Sequence, residues 1–509
     1  MLSKLFKKLM KDEVRQDNEY EMTLSSDLKT TIESLQKIIG ESSDIVQYDF
    51  IIGKSIPAAL FYIDGLTNSD ALEEYVLKPL QHFFSHDIDS IQGQTFVNKL
   101  LQEVSHFTEL EIHETFDEAV LPFMSGDALL VVQGIDQIII VGTRQFNERG
   151  IEEPESEIVV RGPRDGFNET LQTNVILIRR RIRDPNLTVQ FGQLGRRSKT
   201  DFALIYMKGI AEEKLVEEVR YRLACINIDH VPESGTVEQL IEDNVISPFP
   251  QILQTERPDK SASALQNGQV IILVDGTPFS LITPITFEQL FKSSEDYYDR
   301  WQIGTLIRIL RYIGAFIALF LPAIYISMVS YHQGMIPTTM ALSIAAGREG
   351  VPFPSYIEAL LMEFTLEMLR EAGIRLPRPV GSTIGIVGGL VIGDAAVRAG
   401  IVNPIMVIVV GLTAIASFTI PAYNVSIAIR MLRFLLMLFA ALFGLFGVIV
   451  GYIMINIHLV GLRSFGRYYT SPFAPYRIFD LIDTIIRLPL SVNQLRNDAS
   501  RSQDAKKQS

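Results

Sequence analysis

The chain has 509 residues and a formal net charge of −13 at pH 7, which argues against a nucleic-acid binder, because phosphate neutralisation needs a basic surface. Its one cysteine, Cys225, excludes an intrachain disulfide. Mean hydropathy is +0.21 although the first part of the chain is rich in charge, so the composition predicts an acidic soluble part followed by an apolar part.

The first segment, Met1–Lys11, is basic, and its apolar residues could share one face of a helix. It lacks the continuous apolar stretch of a secretory signal, so we expect the soluble part to stay in the cytoplasm. A frayed, solvated terminus and a helix on the membrane surface are the two alternatives for this segment.

An internal repeat predicts two related α/β subdomains. Ala59–Gly65 returns as Ala203–Gly209, and Gly126–Gly134 returns as Gly268–Gly276 at nearly the same offset. The second pair contains an apolar strand run and a glycine turn, which is typical of a β-hairpin. Each copy therefore predicts a strand, then helices, then a hairpin.

The segment between the copies is basic in an otherwise acidic chain. Arg179, Arg180 and Arg181 are adjacent within it. Arginine is enriched at contacts between proteins, so these three side chains are candidates for a subunit contact. The alternatives are a solvated helix face whose arginines pair with neighbouring carboxylates and a contact with lipid headgroups.

Four apolar runs in the last part of the chain predict membrane-spanning helices. A bilayer core of about 30 Å needs roughly 20 apolar residues per helix, and two of the runs approach or exceed that length. The runs are Ile313–Ser330, Ile384–Val397, Pro404–Ile420 and Leu432–Ile457.

Aromatic and basic residues flank the first and last runs. Trp301 and Arg308 precede the first run and Arg463 follows the last. This pattern predicts interfacial belts, both ends in the cytoplasm and an even number of spans, of which we count four. Arg430 and Arg433 do not fit that count, so a five-span or re-entrant arrangement is the alternative.

Pro322 lies inside the first run. Proline removes a backbone hydrogen bond and can kink a helix, which makes Pro322 a candidate gating hinge. Membrane helices also tolerate proline without such a role.

A polar helix is predicted between the first two runs. It begins at Ser355, with Glu358 three residues on as a capping box, and ends near Gly373. Rings of glutamates select cations when several subunits surround an axis. Glu358, Glu363 and Glu367 are therefore candidate ion-path residues. A wet interfacial face, and for Glu358 the cap itself, are the alternatives.

Small residues and one carboxylate mark the second run. Gly385, Gly389 and Gly393 recur every four residues, which predicts a face for close helix packing. Asp394 follows, and an acid at membrane depth needs water or a partner. Arg398 is the partner in one interpretation, and a role in ion passage is the other.

The sequence contains no phosphate loop, nucleophile elbow or metal-ligand cluster. We therefore expect no enzyme, no cofactor and no bound metal.

A series of short motifs follows one another over nearly the whole chain. Five of them, in chain order, are Tyr62–Gly65, Arg161–Phe167, Glu295–Trp301, Ala345–Pro354 and Ile420–Asn424. In this order they resemble motifs of the GerA-type spore germinant-receptor A subunits. Two departures from that family are Asp394, where many members have a neutral amide, and Arg467–Tyr469, which replaces a short apolar run with proline.

The resemblance implies a subunit of a nutrient sensor in the inner membrane of dormant bacterial spores, with its N-terminal domain on the cytoplasmic (core) side. It implies a B-type transporter-like subunit and a C-type lipoprotein as partners. It also implies a homo-oligomer, a ring of A subunits that passes cations on germination.

The sequence as a whole predicts an α/β soluble N-terminal region of two repeated subdomains followed by an all-α transmembrane bundle. A secondary transporter and a non-conducting scaffold are the competing functions, although transporters usually contain two matching membrane halves and no such repeat is found. The expected units are an N-terminal segment (1–48), subdomain 1 (49–150), a basic connecting segment (151–200), subdomain 2 (201–295), a transmembrane domain (296–490) and a disordered tail (491–509).

Overall fold

The structure is a computed structural model of the full chain. It describes residues 24–53, 56–82, 109–145, 152–375, 391, 393–476, 483–487 and 489. The predictions for Met1–Lys11, for Gly385 and Gly389, and for the tail lie outside the described residues.

The soluble part contains two five-stranded antiparallel sheets with the same topology. The strand order is β1-β2-β4-β5-β3 in the first sheet and β6-β7-β9-β10-β8 in the second. The first sheet consists of β1 (Ile45–Ile52), β2 (Ile56–Ile63), β3 (Leu110–His113), β4 (Ala128–Val132) and β5 (Ile138–Val141). The second consists of β6 (Leu187–Leu194), β7 (Thr200–Met207), β8 (Leu253–Thr255), β9 (Val270–Val274) and β10 (Ser280–Thr283).

Seven helices of the soluble part lie before, between and after these strands in the described residues. They are α1 (Leu28–Ile39), α2 (Ser69–Leu72, continued by a π-helical turn at Glu73–Leu77 and an α-helix at Lys78–His82), α3 (Phe116–Met124), α4 (Leu171–Arg181), α5 (Glu213–Ala224), α6 (Ser234–Ile241) and α7 (Pro258–Gln266).

Helices cover both faces of each sheet, which explains why the central strands are apolar without alternation. Leu129 of β4 packs in a cluster with α1 and α3, whereas the next residue, Leu130, packs in a cluster with α2. Successive side chains of a strand point to opposite faces, so a strand covered on both faces is a continuous apolar run. The second sheet is covered in the same way, by α4 and α7 on one face and α5 and α6 on the other.

The predicted repeat coincides with this topology. Ala59–Gly65 contains most of β2, and Ala203–Gly209 contains most of β7, each second in its sheet. The hairpins predicted from the other pair of motifs are present as β4–β5 and β9–β10.

The borders of the repeated units differ from the expected ones. Helix α4 and strand β6 lie within residues 151–200 and belong to the second sheet unit, where they occupy the places that α1 and β1 occupy in the first. Basic residues at the end of α4 and on either side of β6 gave this stretch the composition of a separate connecting segment.

The C-terminal part is helical. Its helices are α8 (Glu295–Tyr298), α9 (Trp301–Ser330), α10 (Thr338–Arg348), α11 (Ser355–Arg375), α12 (Pro404–Ser417) and α13 (Tyr423–Gly461), followed by the short hairpin β11 (Arg463–Ser464) and β12 (Arg467–Tyr468). Among the described residues, α9 and α13 are long and apolar enough to cross a membrane by length and composition.

The chain reverses in the middle of α13. Gly444 has a non-helical φ of 59° and ψ of −141°. Leu436 and Gly451 would lie about 22 Å apart along a straight helix, yet a Cβ atom on Gly451 would overlap the Leu436 side chain. A Cβ atom on Gly447 would likewise overlap the carbonyl oxygen of Phe439. Two helical arms, before and after Gly444, therefore pack against each other as a hairpin.

This reversal corrects the sequence interpretation of Leu432–Ile457 as a single span. This run was counted as one of the four spans, and that is wrong because the chain turns back at Gly444. The turn needs a positive φ, which residues with a side chain rarely adopt. Both arms are apolar, so hydropathy alone does not separate them.

The segment after α13 ties the helical part to the second sheet unit. The Tyr469 hydroxyl donates to the Pro250 carbonyl oxygen at 2.7 Å, and the Phe287 amide donates to the Tyr469 carbonyl oxygen at 2.7 Å. The Ile285 amide donates to the Ser464 hydroxyl oxygen at 3.0 Å. These buried contacts fix the end of α13 against the soluble part.

Candidate functional site

Glu358, in the first turn of α11, joins three helices. One of its carboxylate oxygens accepts from the Asn403 amide, at the start of α12, at 2.9 Å. The other lies 3.2 Å from the Arg348 guanidinium of α10. The Glu358 side chain is 1% exposed and that of Arg348 is 22% exposed, so a loss of Arg348 would leave a buried carboxylate without its counter-charge.

The predicted capping box at the start of α11 is replaced by contacts between helices. The Ser355 hydroxyl lies 2.6 Å from the Ser330 hydroxyl at the end of α9, while Glu358 contacts Asn403 and Arg348 as described. Both side chains therefore connect α11 to its neighbours.

Glu363 and Glu367, one and two turns further along α11, pair with arginines of the first arm of α13. A Glu363 carboxylate oxygen accepts from the Arg433 guanidinium at 3.0 Å, with both side chains buried. Glu367 lies 2.9 Å from Arg370 and 3.9 Å from Arg430, and its side chain is 42% exposed. Arg430 and Arg433, which did not fit the predicted count of four spans, are thus the partners of carboxylates on α11.

Asp394 lies at the edge of the helical part. Its carboxylate is 2.8 Å from the Arg398 guanidinium one turn on, and both side chains are more than half exposed. Gly393 beside it is buried, and a Cβ atom there would lie 3.5 Å from Val407 of α12. This is an ordinary contact distance, so a packing role for Gly393 stays a prediction.

Pro322 is buried within α9, and the helix continues through it to Ser330. The hinge role of Pro322 stays a prediction. The one break inside a long helix of the described part is at Gly444.

The three arginines predicted at a subunit contact have different surroundings. Arg179 is 1% exposed and forms a bidentate pair with Asp44, with nitrogen–oxygen distances of 2.7 and 2.9 Å. Arg181 pairs with Asp165 at 2.6 Å, and Arg180 is exposed. Arg179 thus holds the two sheet units together within one chain, while the predicted contact with another subunit stays a prediction.

A buried carboxyl group that sequence reasoning missed lies near the start of α13. Burial first, and the negative charge of Glu242 second, raise the pKa of Glu238 in α6 to about 8. The Gln254 side-chain amide donates to Glu238, and its oxygen accepts from Asn424 of α13 at 3.4 Å. The protonatable Glu238 of the soluble part is therefore linked to the first arm of α13 through two hydrogen bonds of Gln254.

The described residues contain no group of three or more His, Cys, Asp or Glu side chains able to hold a metal ion. The site therefore consists of two buried carboxylates of α11: Glu358 contacts Arg348 of α10 and the Asn403 amide at the start of α12, and Glu363 pairs with Arg433 of α13.

The family profile described as Bacillus/Clostridium GerA spore germination protein matches residues 33–499. The chain belongs to the GerA family. Over 486 residues, this GerA-family chain is 43% identical to spore germination protein GerLA of Bacillus cereus, with 95% of this chain and 98% of that protein covered. It is 42% identical to the uncharacterized membrane protein YfkQ of Bacillus subtilis (strain 168), with 93% and 91% covered.

A crystal structure of a related protein is also similar. It is the N-terminal domain of the A subunit of the Bacillus megaterium spore germinant receptor GerK3, at 36% identity and a TM-score of 0.42, with 52% of this chain and 98% of that chain covered.

Proposed function

We propose that the chain is the A-type membrane subunit of a nutrient germinant receptor of bacterial spores, in the inner spore membrane with its sheets on the cytoplasmic side. The observation that carries this is the joining, in a GerA-family chain, of a folded soluble part to helices long and apolar enough to cross a bilayer. The names of the relatives, a spore germination protein and a membrane protein, support it. No enzymatic step belongs to this function.

The direction of the helices supports the membrane placement. Asn424, at the start of α13, contacts Gln254 of the soluble part, and His458 near its end lies 2.9 Å from Ser247. The turn at Gly444 instead packs against Tyr331, just after α9. Each arm of α13 thus runs between a soluble-part end and an opposite end. The first arm has about 20 residues and spans about 30 Å, as a bilayer core requires.

In this proposal, copies of the chain assemble with the B-type transporter-like subunit and the C-type lipoprotein, and nutrient binding opens a cation path. Asp394 is the predicted path residue whose carboxylate is most exposed, and the Arg398 side chain that pairs with it is also exposed. A carboxylate in that position can face water and attract cations. Glu358 and Glu363 hold the helices that surround such a path.

A second candidate function is a non-conducting scaffold. The burial of Glu358 and Glu363 against arginines of the same chain favours it, because a carboxylate neutralised inside one protomer does not attract ions. A secondary transporter has no comparable support from the contacts of the described residues.

Cation flux separates the channel from the scaffold. The full-length protein, alone and with its B- and C-type partners, is reconstituted in liposomes and potassium efflux is measured with and without nutrient. We expect Asp394→Asn to lower the efflux roughly two- to fivefold, the effect of one charge near a wet path. The matched control is Glu371→Gln, an exposed carboxylate paired with Arg375, which should leave the efflux unchanged.

The same preparation gives the mass of the assembly. A wild-type protein that conducts no cations, alone or with its partners, contradicts the channel proposal and leaves the scaffold. A particle with one copy of the chain contradicts the homo-oligomer.

A further inference from the structure

Three guanidinium groups meet where α11, α12 and α13 come together. Arg370, Arg430 and Arg433 supply three positive charges, and the carboxylates that pair with them are two, Glu363 and Glu367. The cluster therefore carries one positive charge in excess of its ion pairs in the described part of the chain. A buried surplus charge is unfavourable without a counter-ion.

Two of these guanidinium groups also have unused hydrogen-bond donors. The Nε atoms of Arg430 and Arg433 are buried and have no hydrogen-bond partner among the described residues. Both side chains are more than nine-tenths buried. A buried donor without an acceptor costs the desolvation of that group, so these atoms indicate an anion or acceptor at this place.

The borders of the cluster indicate where it lies. The Arg370 guanidinium stacks over the Phe418 ring at 5.2 Å, and the Arg430 guanidinium lies 6.0 Å from the centre of the Tyr423 ring. Both rings are more than half exposed, and Tyr423 precedes Asn424, which contacts the soluble part. Aromatic rings of this kind occupy the headgroup level of a membrane.

Apolar side chains continue from the cluster along the same helices. Ile415 of α12 is 67% exposed and Met431 of α13 is 61% exposed. Such side chains next to an aromatic belt are suited to acyl chains. The cluster thus has guanidinium groups at the headgroup level and an apolar border below them, an arrangement that fits a phospholipid better than a free anion.

We propose that Arg370, Arg430 and Arg433 bind the phosphate of an anionic phospholipid headgroup on the soluble-part side of the membrane. Guanidinium groups match phosphate oxygens in a fork geometry and remain charged at all physiological pH values. Glu367 lies at the rim and limits the affinity, because its negative charge opposes the lipid. This inference rests on the membrane placement of the proposed function, but not on cation flux.

The test uses the full-length protein in nanodiscs of phosphatidylcholine with a titrated fraction of phosphatidylglycerol, and native mass spectrometry counts the lipids retained per chain. We expect wild type to retain phosphatidylglycerol preferentially. Arg430→Gln should weaken this retention about fivefold, the effect of one basic residue near an anionic headgroup. Arg375→Gln is the matched control, since this exposed arginine of α11 pairs with Glu371, and it should change nothing.

Glu367→Gln provides a result that loss of folding cannot imitate, because it should tighten phosphatidylglycerol retention about fivefold. Several outcomes overturn the proposal: equal retention of the two lipids by wild type, equal behaviour of Arg430→Gln and Arg375→Gln, or no tightening by Glu367→Gln. Displacement of the lipid by millimolar inorganic phosphate would show a free-anion site instead. A failure of the chain to enter nanodiscs contradicts the membrane placement itself.

Discussion

Removal of the buried Arg179–Asp44 pair should weaken the junction of the two sheet units strongly. The pair is bidentate, and the two side chains are 1% and 3% exposed. Ser42 adds a hydrogen bond, since its hydroxyl oxygen accepts from Arg179 at 2.8 Å. Asp44→Ala leaves a buried guanidinium without a counter-charge, so we expect a loss of about 3–5 kcal/mol in the free energy of unfolding.

Urea-dependent pulse proteolysis of the full-length protein in detergent measures this loss in the soluble part. Arg179→Met should cost a similar amount, because Asp44 is then the unpaired charge. The double variant should lose less than the sum by about 0.5–3 kcal/mol, which is the coupling expected of contacting residues. Arg180→Gln is the matched control on the same helix, because Arg180 is exposed, and should change stability by less than about 1 kcal/mol.

This reasoning would be refuted if the double variant lost as much stability as the sum of the two single variants. A loss of oligomer mass in Arg179→Met with unchanged unfolding would instead favour the subunit contact predicted from the sequence.

Two further predictions concern pH and the helix hairpin. Glu238 has a pKa of about 8 in the folded chain, above its ordinary value of 4.5, so its contribution to stability is complete below pH 4.5 and falls as the pH rises to 8. Glu238→Gln should remove most of a fall of about 2 kcal/mol between pH 6 and pH 8, and equal melting-temperature shifts in variant and wild type would contradict this. Gly447→Ala should separate the arms of α13 and cost about 1–3 kcal/mol, measured as a lower melting temperature, whereas Gly461→Ala, with open space around it, should not.

The repeated strands of the two sheets could be predicted from the sequence because each is marked by a short local pattern. β2, β4, β7 and β9 are short apolar runs that end at a glycine turn, and each run appears twice in the same order. The sequence did not show in this way that α4 and β6 belong to the second sheet unit. The basic residues of the connecting segment stand at the end of α4 and on either side of β6, which itself carries no charge, and the pairing of β6 with β7 is decided by tertiary contacts.

The ion pairs of the helical part show where a single sequence gives too little information. Glu363 and Glu367 are one turn apart, and Arg430 and Arg433 are three residues apart, so each pair shares a helix face. The spacing suggests matching faces, but nothing local says that these two helices meet. Gly444 is a similar case, because a glycine in an apolar helix is usually a packing residue and its positive φ is visible only in the structure.

The most direct test of the membrane placement labels single cysteines from either side of the membrane. Cys225 is exposed on the soluble part and is the one cysteine in the chain. Thr339, near the start of α10, is exposed at the opposite end of α9. In sealed vesicles, a membrane-impermeant maleimide should reach Cys225 of wild type from one side, and should reach Thr339→Cys in a Cys225→Ser background from the other side alone. Labelling of both positions from the same side would contradict the membrane placement of the helices.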